Sequence, residues 1–422
     1  MSTRREVLQA AAALGAGLAV GCGSPEPPAD PRFPLGVASG DPTSSSVLLW
    51  TCYRGRAELV VSVDDEAGAR VFSAPVTVAD GGFAHVDVPG LAPGRAYRYL
   101  FSDSDGSTSE GRFRTAPDDD ARVPLSFGAT CCTKLGHPMD TLERAAGRAL
   151  DAFLLLGDTA YVDGAHTLAE YRRNWAKTLS TAPQRALRAA HAVIATWDDH
   201  ELANNWNAEN IGRERFETAA SVFFEHQPAR RQPHAPFRVW RRLRFGRTAE
   251  VFVLDTRGER RPSAQEFLSR AQLDWLEAGL AESSAAFKLV LNPVPIAAYP
   301  GALFQSFELD RWQGYPQQRT EILQHVEDRD IRGVLWLAGD FHLACAGRVS
   351  LQGPGQNAVE VLVGPGAQAA NPSPTYPAPP QFDWASGVNN YTVIDLDPAT
   401  LQARIRHVDG GDATLFDHTY VL

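Results

Sequence analysis

Side chains that bind metal ions or carry protons recur just after apolar runs of this sequence. A lone carboxylate in such a place usually caps a helix, and a lone histidine or cysteine is usually structural. Capping does not call for cysteine, tyrosine and histidine at the same kind of position, so the joint pattern indicates a site. The candidate residues are Cys131, Cys132, Asp158, Tyr161, Asp199, His200, Asn292, Asp340 and His342.

The ligand types in this set restrict which metal ions suit the site. Oxygen ligands with one thiolate, one phenol and one imidazole suit a hard ion such as iron beside an oxygen-preferring ion such as calcium, magnesium or manganese. They do not resemble the cysteine and histidine tetrahedra of structural zinc. One carboxylate shared by two ions about 3.5–4 Å apart would hold a phosphoryl group and generate hydroxide at neutral pH. The chemistry expected is hydrolysis of a phosphate ester.

Short apolar runs without polar alternation must position these side chains. Such runs are typical of strands that are buried on both faces of a sheet covered by helices. In open α/β sheets ligands bind at the carboxyl ends of the strands, which is where the candidate residues come. The runs are 125–130, 153–156, 192–195, 251–254, 287–291 and 334–338.

Three candidate helix starts lie between these runs. Each has an aspartate, threonine or serine three residues before a glutamate, which is the arrangement of a capping box. They are Asp140, Thr167 and Ser263, and the first helix is expected to extend to Leu150. Strands alternating with helices predict an α/β domain, which we place at residues 118–422.

The segment 33–117 has a different pattern. Short alternating runs recur at 46–50, 59–63, 83–88 and 97–101, separated by turn clusters rich in glycine, proline and aspartate. Period-2 runs at this spacing, without helical periodicity, predict a β-sandwich of the immunoglobulin or fibronectin-III type. The sandwich carries few side chains that could do chemistry. By contrast, the later stretch 364–380 is rich in proline and glycine, and is expected to be a loop near the active face or over a sheet edge.

Composition excludes several classes of protein. The 422 residues include 44% hydrophobic and 21% charged residues and carry a formal net charge of −10, which argues against disorder and against a multi-span membrane protein. An acidic chain offers no basic field for nucleic acid, so we expect no nucleic-acid partner. Five cysteines are too few and odd in number for a disulfide framework. At least one cysteine is therefore expected to have another role.

The first 22 residues are predicted to be an export signal. Arg4 and Arg5 precede a weakly apolar, alanine-rich stretch that is too short to span a membrane stably. Twin arginines in this place mark the bacterial Tat route, which exports folded proteins. Cys22 follows a sequence that resembles a lipoprotein cleavage box, so two readings stay open: a lipid anchor on Cys22, or a plain signal peptide. The proline-rich residues 23–32 are predicted to be a tether.

Several spaced motifs resemble one family. The run Gly157-Asp158 with Tyr161, the run 197–201 with Asn204 and Asn205, and Gly339-Asp340 with His342 look like the alkaline phosphatase D (PhoD-type) branch of the calcineurin-like and purple-acid-phosphatase metallophosphoesterases. The opening 33–43 and the run 254–257 are similar to that family as well. The resemblance implies a sandwich followed by a four-layer α/β/β/α domain, export, a ferric ion and a calcium ion, with Zn²⁺, Mn²⁺ or Mg²⁺ as other occupants.

The resemblance also implies roles for individual residues. Asp158 would bridge the metals, Tyr161 and a cysteine would bind the ferric ion with His342 nearby, and Asp199 and Asp340 would serve the calcium-type position. His200 would orient the phosphate or protonate the leaving oxygen. The cysteine is either Cys131 or Cys132, because the doubled cysteine departs from the family pattern.

Three further residues have two readings each. Asn205 would donate to a phosphate oxygen or cap a turn. Asn292 would bind a metal or start a turn with Pro293. Arg257 would contact phosphate through its two-pronged guanidinium, or pair structurally with a carboxylate.

The sequence therefore predicts an exported metal-dependent phosphoesterase that acts on small-molecule or lipid phosphate esters as a monomer. It is expected in the periplasm or at the cell surface. One alternative is a phospholipase-D-like diesterase, and another is a surface lipoprotein that keeps the fold and acts by binding.

Overall fold

The computed structural model describes residues 30–299, 308–369 and 380–422. The predicted export signal, Cys22 and most of the predicted tether lie outside these residues, as does most of the loop predicted at 364–380. In chain order the described strands are β1 (Val37–Gly40), β2 (Ser46–Cys52), β3 (Leu59–Asp65), β4 (Arg70–Pro75), β5 (Phe83–Pro89), β6 (Ala96–Asp103), β7 (Thr108–Arg114), β8 (Leu125–Thr133), β9 (Ala152–Leu156), β10 (Ala192–Thr196), β11 (Arg241–Phe245), β12 (Ala249–Val253), β13 (Phe287–Leu291), β14 (Val334–Ala338), β15 (Ala344–Arg348), β16 (Val359–Leu362), β17 (Pro365–Ala367), β18 (Phe382–Ser386), β19 (Asn390–Asp397), β20 (Gln402–Asp409) and β21 (Thr414–Val421).

The α-helices of the described residues follow the same order. They are α1 (Asp140–Ala146), α2 (Leu168–Leu179), α3 (Ala182–Ala190), α4 (Arg213–His226), α5 (Arg270–Glu282) and α6 (Pro316–Asp328).

Two large sheets form the centre of the molecule. One has ten strands in the order β21-β20-β19-β8-β9-β10-β1-β2-β5, with β17 beside β8, and the other has seven in the order β11-β12-β13-β14-β16-β15-β18. Strands β8, β9 and β10 are parallel to one another, as are β12, β13, β14 and β16. Their carboxyl ends are where the candidate residues lie.

The layers follow from the apolar runs. Successive residues of β9 point to opposite faces, so Leu154 and Leu156 pack between the two sheets while Phe153 and Leu155 pack under helices α1 to α4. Helices α5 and α6 cover the outer face of the seven-stranded sheet, where Leu276 and Leu323 join the core. The predicted four-layer α/β/β/α arrangement is confirmed.

The segment 33–117 is a sandwich, but one of its two sheets belongs to the larger fold. Strands β4-β3-β6-β7 form a separate four-stranded sheet, whereas β1, β2 and β5 extend the ten-stranded sheet through the parallel pair β1–β10. Val47 and Leu49 of β2 face the small sheet and Trp50 faces the helices. The two parts of the chain therefore share a continuous hydrogen-bonded sheet, and the boundary near residue 117 stays a prediction.

Of the three predicted helix starts, one is confirmed and two are wrong. Thr167 caps α2 in a complete capping box with Glu170, as predicted. The prediction at Asp140 was wrong in detail, because Asp140 is the first helical residue, its N-cap Met139 makes no side-chain cap, and α1 ends at Ala146. At Ser263 there is only a single 3₁₀ turn, and α5 begins at Arg270 with Ser269 as its cap.

Candidate active site

The loops that carry the candidate residues turn sharply. Cys132, Asp158, Asn205, Asp340 and His342 all have positive φ, between 50° and 66°. Among the described residues only ten non-glycine residues have positive φ, so half of them are candidate site residues. Residues other than glycine hold this conformation only where their surroundings impose it, and such residues cluster at functional sites. Cys132, Asp158, Asp340 and His342 on these turns belong to the groups of ligand atoms described below, whereas Asn205 is exposed.

Gly157 lets two of these loops approach closely. Its φ is +90°, and a Cβ at this position would lie 2.5 Å from Cβ of Asp198 and 2.7 Å from its backbone nitrogen. Any side chain here would therefore push the loop after β9 away from the loop after β10. Glycine at position 157 brings Asp158 next to Asp198 and Asp199.

Three overlapping groups of side chains have ligand atoms within 4.8 Å of one another. The first is Cys132, Asp158 and His342, the second is Asp158, Asp199 and His200, and the third is Asp198, Asp199 and Asp340. Asp158 belongs to the first two groups and Asp199 to the last two. The groups thus form a continuous row with a shared carboxylate at each junction, which is the arrangement that two neighbouring cations require.

Tyr161 lies at the Cys132 end of this row. Its hydroxyl is 3.2 Å from Oδ2 of Asp158, and the Cys132 Sγ is 3.5 Å from the same oxygen. The side-chain amide of Gln368 donates to the Tyr161 hydroxyl at 2.9 Å and lies 3.3 Å from Nε2 of His342. Phenol, thiol, imidazole and carboxylate therefore meet at one point.

The two adjacent cysteines point in different directions. The Cys132 Sγ faces Asp158, whereas the Cys131 Sγ lies 3.4 Å from the carbonyl oxygen of Val363; both residues are buried between the sheets. A Cβ on Gly339 would come within 3.0 Å of Cys131 Sγ, so this thiol also packs against the turn before Asp340. Of the two cysteines, Cys132 has the geometry of a ligand.

His200 is held on three sides. Its Nδ1 lies 2.7 Å from Oδ1 of Asp163, its backbone nitrogen is 3.3 Å from Oδ1 of Asp158, and its ring lies 4.1 Å from the ring of Tyr161. Burial works against a charged ring, but the hydrogen bond with Asp163 and the nearby carboxylate of Asp199 outweigh it, so the pKa of His200 is raised above its ordinary value.

The guanidinium of Arg257 forms ion pairs with two carboxylates. It binds Asp198 with two prongs, Nε to Oδ1 at 2.7 Å and Nη2 to Oδ2 at 3.1 Å, and its Nη1 bonds Asp310. The side chain is 0% exposed. Of the two readings of Arg257, the structure shows the structural pairing.

The two asparagines also differ in surroundings. The Asn205 backbone nitrogen donates to Oδ2 of Asp199 at 2.8 Å, and the residue is exposed. Asn292 is buried, with Oδ1 accepting from the Trp312 indole at 2.9 Å and Nδ2 lacking a hydrogen-bond partner. The indole N–H takes one of the two lone pairs of this oxygen, and the metal-ligand reading of Asn292 stays a prediction.

The charges around the row do not balance without a cation. Within the described residues no arginine or lysine lies within 4.0 Å of the carboxylates of Asp158, Asp199 or Asp340. Burial and the neighbouring carboxylates raise the pKa of Asp158 and of Asp340 well above their ordinary values, and burial does the same for the thiol of Cys132. Oδ1 of Asp199 is buried with no hydrogen-bond partner. The residues therefore fit bound metal ions, which would supply the missing positive charge.

Comparison with known sequences decides the family. The sequence model of the PhoD-like phosphatase family matches residues 127–404, more than half of the chain, and that of the PhoD-like phosphatase N-terminal domain matches residues 19–117. The chain belongs to the PhoD-like phosphatase family. The predicted resemblance and the predicted enzyme class, a phosphoric ester hydrolase, are thereby confirmed.

Comparison of this PhoD-like phosphatase with individual relatives gives the same family and the same fold. Alkaline phosphatase D of Bacillus subtilis (strain 168) is 29% identical over 418 residues, which cover 81% of this chain and 72% of the relative. A solved structure of PhoD matches with a TM-score of 0.81 at 22% identity, over 94% of this chain and 90% of that one. Purple acid phosphatase PPD1 from seeds of yellow lupin (Lupinus luteus) matches with a TM-score of 0.67 at 13% identity, over 91% and 73%. These two structures confirm the fold.

Sequence reasoning did not propose three residues that shape the site of this PhoD-like phosphatase. Asp198 is a member of the third ligand group, and Glu201 accepts backbone N–H groups of Asp158, Thr159 and Asp198, which ties two loops together. Gln368 arrives on the segment after β17. Asp198 and Glu201 were visible in the run 197–201, but nothing in the sequence marks Gln368.

The described helices were compared with the length and hydropathy that a membrane span requires. In the described part of this PhoD-like phosphatase no helix is both long and apolar enough to cross a membrane.

Proposed function

We propose that this PhoD-like phosphatase is an exported phosphoesterase that binds two metal ions along the row of ligand groups. The observation that carries the proposal is the sharing of carboxylates: Asp158 joins the first and second groups and Asp199 joins the second and third. Structural ion pairs would not leave the buried Asp158 and Asp199 and the half-buried Asp340 without an arginine or lysine in direct contact. Two cations held by shared carboxylates would bind the oxygens of a phosphate ester.

Donor chemistry supports a different metal at each end. Cys132, Tyr161, Asp158 and His342 offer a thiolate, a phenolate, a carboxylate and an imidazole, which favours Fe³⁺. Asp199 and Asp340 offer only carboxylate oxygens, which favours Ca²⁺. Element analysis distinguishes these ions from Zn²⁺, Mn²⁺ and Mg²⁺.

The protein side chains have separate tasks in hydrolysis. When bound, the two ions supply Lewis acidity and lower the pKa of a water molecule. The backbone of Asn205 holds Asp199 in position, and its exposed amide is available for a phosphate oxygen. Asp163 fixes Nδ1 of His200, so the other ring nitrogen can give a proton to the departing alcohol oxygen.

Chelation and one substitution test the proposal. Mono- and bis(4-nitrophenyl) phosphate are assayed before chelation, after chelation, and after metal is restored. We expect activity to disappear and return, and Asp158→Asn to lower kcat/KM by about 10³-fold or more because both ligand groups that share Asp158 are disrupted. The exposed Asp119→Asn is the matched control and should keep full activity. Full activity in Asp158→Asn, or indifference to metal, overturns the proposal.

The same pair of esters separates the alternatives. A marked preference for the diester supports a diesterase of the phospholipase-D-like kind, and a preference for the monoester supports an alkaline phosphatase. A correctly folded, metal-loaded protein without activity on either ester supports the binding lipoprotein.

Leaving-group dependence tests the role of His200. We expect His200→Gln to lower kcat by about 10²-fold for alkyl esters and much less for nitrophenyl esters, because nitrophenolate needs no proton to depart. An equal loss on both kinds of ester would mean that His200 only positions the phosphate.

Export and anchoring rest on residues outside the described structure. Arg4 and Arg5 support Tat export to the periplasm or cell surface, and Cys22 supports a lipid anchor. Fractionation of cells that make the wild type, Cys22→Ala, and a double lysine variant at Arg4 and Arg5 tests both. An anchored protein leaves the membrane fraction in Cys22→Ala, and a Tat substrate stays in the cytoplasm in the lysine variant. We propose a monomer, which size-exclusion chromatography with light scattering tests.

A further inference from the structure

Lysine is rare in this chain, and one lysine lies at the active site. The sequence has 40 basic residues, of which only Lys134, Lys177 and Lys288 are lysines. Lys288 is buried, and its ammonium donates to the carbonyl oxygens of Ala285 and Arg332. Lys177 is exposed on α2. Lys134 follows Cys132 by two residues, which places it next to the candidate metal ligands.

The backbone of Lys134 is fixed although its side chain is exposed. Thr133 donates to the carbonyl oxygen of Asp158 at 2.8 Å, and Lys134 donates to that of Ala367 at 2.7 Å. The main chain at position 134 is thus tied to the loop after β9 and to β17. Because the main chain at Lys134 is fixed, the Cα of Lys134 is fixed as well. The ammonium can therefore lie only within one side-chain length of that position.

That region is the Tyr161 side of the site. The Lys134 Nζ lies 5.3 Å from the centre of the Tyr161 ring, and the Tyr161 hydroxyl is 3.2 Å from Asp158. Within the described residues no carboxylate lies within 4.0 Å of the ammonium. The ammonium is therefore close to the site and is not occupied by an ion pair.

We propose that Lys134 is a specificity-determining residue that favours phosphate esters whose alcohol carries a second negative charge beside the scissile bond. The inference rests on the proposed function, because it assumes that the ester phosphate binds along the row of ligand groups. Four side chains of the row are carboxylates and the chain as a whole is acidic, so a second anion on the substrate would otherwise meet mostly negative groups. A flexible ammonium can follow an anionic group whose position differs from one alcohol to the next, which a planar guanidinium does less readily.

A matched pair of chromogenic esters measures this preference. 4-Nitrophenyl phosphate and 3-carboxy-4-nitrophenyl phosphate differ by one carboxylate on the leaving group. We expect Lys134→Gln to lower kcat/KM about fivefold for the carboxylated ester, mainly through KM, and to leave the other ester within about twofold, since an exposed ion pair contributes about 1 kcal/mol. Lys134→Arg should restore part of the preference, and Lys177→Gln is the matched control. Raising the salt to about 0.5 M should weaken the preference. Equal effects of Lys134→Gln on both esters overturn the inference.

Labelling gives a second readout that needs no turnover. Pyridoxal 5′-phosphate with borohydride marks accessible lysines, and peptide mapping separates Lys134 from Lys177. We expect 3-carboxyphenylphosphonate to protect Lys134 more strongly than phenylphosphonate does, with no protection of Lys177. If the wild type hydrolyses neither ester but this protection is seen, the proposed function fails and the Lys134 inference stands. Equal protection of Lys134 by the two phosphonates overturns the inference whether or not the esters are hydrolysed.

Discussion

Asp198 and Asp199 are neighbours in the chain and are both buried, yet they belong to differently balanced regions. Asp198 has a two-pronged bond with Arg257, and the same guanidinium also binds Asp310. Asp199 has no such partner and leaves one carboxylate oxygen without a hydrogen bond. In the first region a guanidinium contacts the carboxylate directly, whereas in the second, which includes Asp158 and Asp340, no arginine or lysine does. Against the effect of burial, the charges of Arg257 and His200 still keep the pKa of Asp199 below its ordinary value. The difference indicates where an external cation must bind.

Backbone donors provide a third way to bury a carboxylate. Glu360 is buried and accepts the backbone N–H groups of Ile296 and Ala297, at 2.7 and 3.0 Å. Glu201 is held in the same way by three N–H groups. Asp158 accepts a single backbone N–H, from His200 at 3.3 Å, and its other donors are Tyr161 and Cys132, which are candidate metal ligands themselves. Burial alone therefore does not identify a carboxylate as a metal ligand. A buried carboxylate is a candidate ligand when neither a side-chain cation nor a set of backbone N–H groups contacts it.

Removing the cation of the balanced region should have the largest effect on stability. Arg257→Met leaves the buried Asp198 without its partner and leaves Asp310 with Arg260 alone, and we expect the free energy of unfolding to fall by about 3–5 kcal/mol, measured by denaturant unfolding. Arg213→Met, which breaks an exposed pair with Glu217, is the control and should change it by less than about 0.5 kcal/mol. Adding Asp198→Asn to Arg257→Met should recover part of the loss. Similar values for Arg257→Met and Arg213→Met would show that the region is not balanced by Arg257.

The region held by backbone donors should respond to pH. Burial raises the pKa of Glu360 to about 7, against the N–H groups of Ile296 and Ala297 and the charge of Arg319. Because the folded pKa is above the unfolded one, the folded state holds the extra proton, and its stability falls as pH rises through this range. The unfolding free energy of the wild type relative to Glu360→Gln should therefore fall by about 2–3 kcal/mol between about pH 5 and pH 8. Parallel pH curves for the two proteins would refute this.

The two cysteines provide the smallest and most selective comparison. Cys131→Ala removes a thiol from the core between the sheets and should lower stability by about 1 kcal/mol while metal content stays unchanged. Cys132 lies in the same buried cluster, so Cys132→Ala should lower the stability of the metal-free protein by a similar amount and should in addition lower metal content. A loss of metal in Cys131→Ala but not in Cys132→Ala would reverse the assignment.

The sequence predicted the elements better than it predicted the orientation of single side chains. Strands such as β9 and β13 could be recognised because a run buried on both faces has no polar alternation. The sequence could not show that Cys132 rather than Cys131 faces the site, because that depends on a left-handed turn imposed by neighbouring loops. Nor could it show that Arg257 pairs with Asp198, which lies 59 residues away. Gln368 reaches Tyr161 only because β17 pairs with β8. Each of these features depends on segments that are distant in the sequence and adjacent in the fold.

Metal content together with visible absorption tests the central claim most directly. Element analysis of purified wild type, Asp158→Asn and Tyr161→Phe, all made under the same conditions, counts the ions that the unbalanced carboxylates hold. We predict about two ions per chain in the wild type and fewer in Asp158→Asn. We also predict a tyrosinate-to-iron band that disappears in Tyr161→Phe. A metal-free wild type, or equal metal content in wild type and Asp158→Asn, would contradict the account.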